Sequence, residues 1–273
     1  MKNLGLCLTL CLVLCLPVNS LQYPNRIVSC TPALTEIIFA LKLEAKVIGV
    51  TNNCDYPAPA KLKEKIGGYT ISLEKVASLK PDIVFMQEDA QKGEIKKLVD
   101  YGLPVFSLNL RTAPEVLAGI DEIGKVTGQT REAAALLAKM RREILAIKQN
   151  SSGRPKKKVI MIVGYDPLIV VGGNNFINDY LVWAGAENIA AHSKSAYPQF
   201  SFEKLVQIDP AVIIIPEGLV KKEQVESDSR WQRLSAVRKH RLLFMDAALV
   251  SRPGPRIATA AKIVADYLYP PKW

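Results

Sequence analysis

One stretch of this chain occurs twice. Residues 72–84 read SLEKVASLKPDIV and residues 201–213 read SFEKLVQIDPAVI. Ser, Glu, Lys and Pro are identical, and apolar positions fall in the same frame. The pattern is a short helix that stops before a proline and feeds a strand. Two copies this far apart imply two lobes built to one plan. The length agrees, since 273 residues exceed one ordinary core and suit two lobes of roughly 100–130 residues each.

Around the repeats, short β-branched runs alternate with helical patterns. Residues 26–30, 46–50, 82–86 and 104–108 read as strands; 34–43, 73–79 and 94–101 read as helices. That rhythm predicts βα units around a mostly parallel sheet. It then breaks. Residues 114–126 predict one helix, Gly128 interrupts, and 130–149 predict another, with Ala133, Leu136, Leu137, Met140, Ile144 and Ile147 on a helical period. Some 20 residues of helix reach about 30 Å, enough to bridge two lobes. After Asn150-Ser151-Ser152-Gly153-Arg154-Pro155 the α/β rhythm resumes, with strands at 159–164, 169–171, 211–215 and 242–245 and helices at 176–184, 202–208 and 256–269. The expected division is a leader at 1–20, a first lobe at 21–128, a linking helix at 129–150 and a second lobe at 151–273. The fold class is α/β, two lobes with mostly parallel central sheets joined by one long backbone helix.

The leader follows from Lys2, an apolar run from Leu4 to Leu16, and Pro17-Val18-Asn19-Ser20. This is the layout of a secretory signal peptide, cleaved after Ser20. An alternative makes Cys15 a lipid-modified N-terminus, although bulky Leu14 precedes it. Either way the expected site of action lies outside the cytoplasm. Cys7, Cys11 and Cys15 fall in the leader, so Cys30 and Cys54 remain. In an oxidising compartment they form either a disulfide or two separate buried thiols.

Hydrophobic residues make up 49% and charged residues 23%, a globular and not a disordered mixture. The net charge of +10 comes from dispersed Lys and Arg, with Lys156-Lys157-Lys158 the densest run. No aromatic-interleaved basic patch is present, so no nucleic-acid partner is expected. Only His192 and His240 exist, too few for the usual transition-metal site. There is no Gly-x-Ser-x-Gly elbow, Walker loop or CxxC pair. Gly172-Gly173-Asn174-Asn175 opens a helix and reads as an N-cap or as an anion contact. No catalytic residue, metal or cofactor is expected. Trp183 reads as core; Trp231 and Trp273 have no assigned role.

Ligands of parallel sheets bind beyond the carboxyl ends of the strands. Those ends carry Asn53-Cys54-Asp55-Tyr56-Pro57, Gly67-Gly68-Tyr69 and Gln87-Glu88-Asp89 in the first lobe. The second lobe has Gly164-Tyr165-Asp166-Pro167, Ala196-Tyr197-Pro198-Gln199-Phe200 and Ser251-Arg252-Pro253-Gly254-Pro255-Arg256. Tyr56, Tyr69, Tyr197 and Phe200 suit a large, flat, partly apolar ligand, whereas Arg252 or Arg256 suits its phosphate or carboxylate.

These residues carry a resemblance. RIVSCTPALTEIIFALKLEAKVIGVTNNCDYP (26–57), SLEKVASLKPDIV, AGAENIA (184–190), YPQFSFEKL (197–205) and PRIATAAKIV (255–264) resemble the cobalamin-binding periplasmic proteins of bacterial ABC importers. Ferric siderophore and haem receptors belong to the same class. The resemblance covers about residues 25–270. It implies a ligand held between lobes whose helical spine limits opening, and membrane permease subunits as partners. It carries Tyr56 and Tyr197 over as ring contacts and places Tyr69 one position from a family Trp. Arg252 and Arg256 bracket a cleft arginine, and Glu74 and Glu203 match a pair that docks on the transporter. Met86 and Gln87 stand where the family has an aromatic. The expected cargo is a corrinoid such as cobalamin. The alternatives are a ferric siderophore or haem, then a two-lobed enzyme, then a surface module without a small ligand.

Overall fold

A computed structural model describes residues 23–270. The leader and Cys15 lie outside the described residues. In the first lobe the strands are β1 (Ile27–Ser29), β2 (Val47–Val50), β3 (Glu64–Lys65), β4 (Ile83–Gln87) and β5 (Val105–Leu108). They form one sheet in the order β3-β2-β1-β4-β5, every pair parallel. Parallel strands need both faces covered. The helices α1 (Pro32–Ala40), α2 (Leu73–Ser78) and α3 (Glu88–Asp100) do this together with α4 (Ala113–Thr127). Alternate residues divide accordingly. Ile27, Val47 and Phe85 enter one core, and Val28, Val84 and Met86 enter another on the opposite face.

Helix α4 begins at a capping box. Thr112 Oγ1 accepts from the Glu115 amide, and the Glu115 carboxylate accepts from the Thr112 amide at 2.7 Å. It ends at Gly128, whose φ of 75° is the left-handed conformation a C-terminal cap favours. The chain then doubles back into α5 (Thr130–Ser151), 22 residues and about 33 Å long. The two helices approach closely at Gly124, where a Cβ would stand 2.5 Å from that of Ala133.

The second lobe holds β6 (Lys157–Gly164), β7 (Ile169–Val170), α6 (Phe176–Trp183), β8 (Ala186–Asn188), α7 (Phe202–Ile208) and β9 (Val212–Pro216). It continues with α8 (Lys222–Ser227), α9 (Ser235–Arg238), β10 (Leu242–Met245), α10 (Ala247–Ser251) and α11 (Ile257–Leu268). Its sheet runs β10-β9-β6-β7, and β8 pairs with the start of β6. Only β7 is antiparallel, through its pairing with β6.

Both repeats form the same local structure. Ser72 Oγ accepts from the Lys75 amide, and Ser201 Oγ accepts from the Lys204 amide, each at 3.3 Å. The residues before the two prolines, Lys80 and Asp209, have φ of 46° and 47°. The repeat is thus a capped helix that exits through a left-handed residue into a strand.

The elements the sequence did not signal are short. The strands β3 and β8 have two and three residues, too few for an alternating pattern. Helix α3 starts at Glu88, six residues before the predicted start, because Gln91 breaks its regularity (φ −131°, ψ 26°). Cys30 and Cys54 are free and buried, so the disulfide alternative is not what the structure shows. Cys30 packs with Val28 and Met86, and Cys54 packs in the opposite core. The Cys54 Sγ is already engaged by the Thr35 and Thr51 hydroxyls at 3.2 and 3.1 Å.

Trp231 is the largest fully buried side chain. Its ring stacks on Tyr165 at 5.5 Å and meets the edge of Phe202 at 5.3 Å. Trp183 packs, partly buried, against the main core. That core is one continuous cluster, running from Leu34 and Phe85 through Val116, Met140 and Tyr180 to Val212 and Val264. Because Met140 of α5 is buried at the middle of this cluster, Met140→Ala should cost about 2–5 kcal/mol. Calorimetry should show a single transition for both proteins, shifted down in the variant; two resolved transitions would mean independent lobes.

Candidate functional site

The strands of both lobes end at a shared cleft of about 1160 Å³. From the first lobe it is lined by Thr31 and Pro32 after β1, Asn52, Asn53 and Asp55 after β2, Gln87 to Ala90 after β4, and Asn109 to Arg111 after β5. The second lobe contributes Asn175, Phe176, Ala196, Tyr197 and the segment from Ala247 to Pro253. Tyr69 stands at the mouth, 94% exposed.

Side-chain amides shape the walls. Gln91 accepts from the Gln87 amide and donates to the Cys30 carbonyl, both at 3.0 Å, which ties the ends of β4 and β1 together at the kink in α3. Across the cleft, Asn175 caps α6 by accepting from the Asn178 amide at 2.9 Å. Its Nδ2 donates to the carbonyls of Gly172, Gly173 and Ala196. Asn188 donates to the carbonyls of Val171 and Gly172 and to Asn178 Oδ1. A Cβ on Gly172 would lie 2.2 Å from the Ser195 carbonyl oxygen, and one on Gly173 2.1 Å from that of Ala191. Only glycine permits that approach. The Gly-Gly-Asn-Asn turn therefore caps a helix and holds the loop that presents Tyr197. Burial raises the Tyr197 phenol above its ordinary pKa, and the Asp89 carboxylate of the first lobe adds to the effect.

A charge cluster closes one side. Glu36 of α1 is buried, its side chain 2% exposed. Arg256 Nε and Nη2 donate to its two oxygens at 2.8 and 2.6 Å. Arg252 Nη1 reaches Glu36 Oε1 at 3.2 Å and Asp55 Oδ1 at 2.7 Å, and its Nη2 donates to the Asn53 carbonyl at 3.3 Å. A residue of α1 is thus bound to two arginines in the segment between α10 and α11. The hydrogen bond from Arg252 holds the Asp55 carboxyl below the usual carboxylate range. On the floor the lobes join through one backbone bond and one bond from a backbone amide to a carboxylate. The Phe176 amide donates to the Arg111 carbonyl at 2.7 Å, and the Ala113 amide donates to Asp179 Oδ2 at 2.8 Å.

The residues singled out from sequence fall in three places. Tyr69, Tyr197 and Arg252 line the cleft. Tyr56 is not a lining residue; it is half-exposed, with the Arg256 guanidinium 4.1 Å above its ring, and Arg256 itself is bound to Glu36 behind the wall. Phe200 also lies away from the lining. It packs on the second-lobe core under Lys204, because that loop turns Tyr197 outward and Phe200 in. Glu74 and Glu203 are exposed in the first turns of α2 and α7. The Glu203 carboxyl is held below its ordinary range by its own backbone amide and the Ser201 hydroxyl. His192 and His240 are exposed and outside the cleft. Among the described residues no group of three or more His, Cys, Asp or Glu is placed to hold a metal ion. Sequence reasoning missed Thr31, Asn109 and Arg111. They sit at strand ends, where the same rule points, but no aromatic marks them.

Two α/β lobes around a cleft, with a long helix packed between, define a solute-binding protein. The chain belongs to the periplasmic binding protein family, whose model matches residues 27–249, and it is a solute-binding protein of the ABC importer type. It is 35% identical over 255 residues to the uncharacterized ABC transporter substrate-binding lipoprotein YvrC of Bacillus subtilis, covering 90% of this chain and 81% of that one. Among solved structures it is similar to the periplasmic vitamin B12 binding protein BtuF of Vibrio cholerae (TM-score 0.79, 25% identity, 90% of this chain and 96% of that one). It is as similar to a periplasmic heme binding protein from Pseudomonas aeruginosa (TM-score 0.80, 25% identity, 92% and 94%).

The charge cluster can be taken apart. Glu36→Gln leaves two partly buried arginines short of a counter-charge and should cost about 3–5 kcal/mol at neutral pH. Asp55 is half-exposed, and its lowered pKa gives a contribution that is present above the usual carboxylate value near 3.9 and lost as pH falls through the folded value. In denaturant titrations from pH 7 to pH 2, Asp55→Asn should therefore cost little and flatten the acid limb. A Glu36→Gln protein as stable as the parent would remove the cluster's structural role.

Proposed function

We propose that the protein captures a corrinoid such as cobalamin outside the cytoplasmic membrane and delivers it to the permease of an ABC importer, as a carrier and not an enzyme. One observation carries this reading. The cleft, about 1160 Å³, is larger than the 300–1,000 Å³ typical of drug-sized ligands, and it presents a tyrosine from each lobe, Tyr69 and Tyr197. Aromatic groups on opposed walls suit a broad, flat ring system. Exposed amides suit an amide-rimmed macrocycle: Asn52, Asn53 and Asn109 line the same space. The similarity to the vitamin B12 binding protein of Vibrio cholerae supports the choice.

A haem cargo is the second reading. The phenol oxygens of Tyr69 and Tyr197 are available in a cleft that no histidine lines, and tyrosine is an established axial ligand of haem iron. The similarity to the heme binding protein of Pseudomonas aeruginosa supports it equally. Delivery through the leader at 1–20, or tethering at Cys15, would put the protein on the required side of the membrane.

Calorimetric titration of residues 21–273 with cyanocobalamin, haem and a ferric siderophore tests the cargo. Cyanocobalamin should bind one to one, and Tyr69→Ala with Tyr197→Ala should weaken it by about tenfold or more, from loss of aromatic burial. Haem binding with a tyrosinate absorption band that Tyr69→Phe or Tyr197→Phe abolishes would replace the corrinoid with haem. Binding of none of the three would end the large-ring reading.

Glu74 and Glu203 are proposed to dock the two lobes on the permease. They are equivalent residues, one per repeat, exposed and held at helix starts, and paired carboxylates fix register through charge-assisted hydrogen bonds. Glu74→Ala and Glu203→Ala should leave ligand affinity unchanged and lower uptake by cells, the double variant most. Unchanged uptake in the double variant would exclude docking through these residues.

A further inference from the structure

The cleft's positive groups are not equivalent. Arg252 lines it, but its guanidinium is committed to Glu36, Asp55 and the Asn53 carbonyl. Lys92 shares the first turns of α3 with Glu88 and Asp89, both cleft-lining acids. Arg111 differs from Arg252 in having no ion-pair partner, and from Lys92, which also enters no ion pair among the described residues, in having no cleft-lining acid beside it in sequence. It lines the cleft with an exposed side chain, and among the described residues it enters no ion pair.

Its backbone is nevertheless fixed on both sides. The Arg111 amide donates to Asn109 Oδ1 at 3.2 Å, and its carbonyl accepts from Phe176 of the other lobe at 2.7 Å. The next residue, Thr112, is the cap of α4. The acids nearby are engaged, since Glu115 accepts from the Thr112 amide and hydroxyl and Asp179 accepts from the Ala113 amide. A free guanidinium on a pinned backbone, at the seam where both lobes meet, is preorganised for an anion. The N-termini of α4 and α6 flank it and add to the positive potential.

We propose that Arg111 is the anion subsite of the cleft, binding a phosphate or carboxylate carried by the ligand, while Arg252 is a structural strut. This rests on the cleft being the ligand site. The phosphodiester of a corrinoid's nucleotide loop and the propionates of haem are the two sources of such a group.

Two ligand pairs and one inorganic probe test it. Wild type, Arg111→Gln and Arg111→Lys are titrated with cyanocobalamin and with cobinamide, which lacks the nucleotide phosphate, and with haem and its dimethyl ester. Circular dichroism and melting temperature of the unliganded variants confirm folding. Arg111→Gln should weaken the anionic member of whichever pair binds by about tenfold to a hundredfold, the worth of a hydrogen bond to a charged group. It should leave the neutralised member within about twofold, and Arg111→Lys should recover part of the loss. The pair affected names the source of the anion. Equal loss for both members, or no loss for either, overturns the proposal. Inorganic pyrophosphate gives a separate readout if none of the four ligands binds, an outcome that sinks the large-ring reading alone. Pyrophosphate should raise the melting temperature of wild type and not of Arg111→Gln, and equal shifts in the two would overturn the subsite.

Discussion

Two mostly parallel sheets share one helical layer, and the rest of the molecule depends on that sharing. A parallel sheet exposes apolar side chains on both faces, and each face has to be covered. Here α4, α5, α6 and α11 contribute to a single cluster that also takes residues from β1 and β2 of one sheet and β6 and β9 of the other. The lobes are therefore not beads on a hinge. Helix α4 of the first lobe packs on α5 and α6, and burial within such a cluster is worth roughly 1.5–3 kcal/mol for each large side chain. Ligand entry has to work through the walls and mouth of the cleft.

Charge completes what apolar packing begins. Glu36 would be costly in an apolar core if left alone. Arg252 and Arg256 reach it from the far end of the chain, so the burial becomes a reason for α1 and α11 to stay in register. The same commitment removes Arg252 from free service in the cleft and leaves Arg111 as the lining arginine without a counter-ion. Asn175 and Asn188 act likewise on the opposite wall, where buried amides bind the carbonyls of a glycine turn and so fix the approach of Tyr197.

Much of the fold was legible because strong local signals coincide. The β-branched runs at 159–164 and 211–215 and the helix break at Gly128 each mark an element boundary by chemistry that operates within a few residues. The repeat was legible for the same reason, and its left-handed residues before proline were not, since nothing in Lys or Asp announces them. The site was less readable. Tyr69 and Tyr197 stood out as aromatics at strand ends, and they do line the cleft. Tyr56 and Phe200 carry the same signal but serve Arg256 and the second core. Whether a loop aromatic faces out or in depends on partners more than a hundred residues away, such as Arg256 over Tyr56. Arg111 gave no signal because its importance lies in what it does not bind.

The two buried thiols have a practical corollary. Cys30 and Cys54 lie in cores on opposite faces of the first sheet, and burial drives the Cys30 thiol well above its ordinary pKa. Each thiol is buried in its own cluster, so alkylation of either one requires local opening around it. The protein therefore carries two native reporters of local opening: the rates at which the two sulfurs become reactive would follow loosening around each of them, with no engineered cysteine.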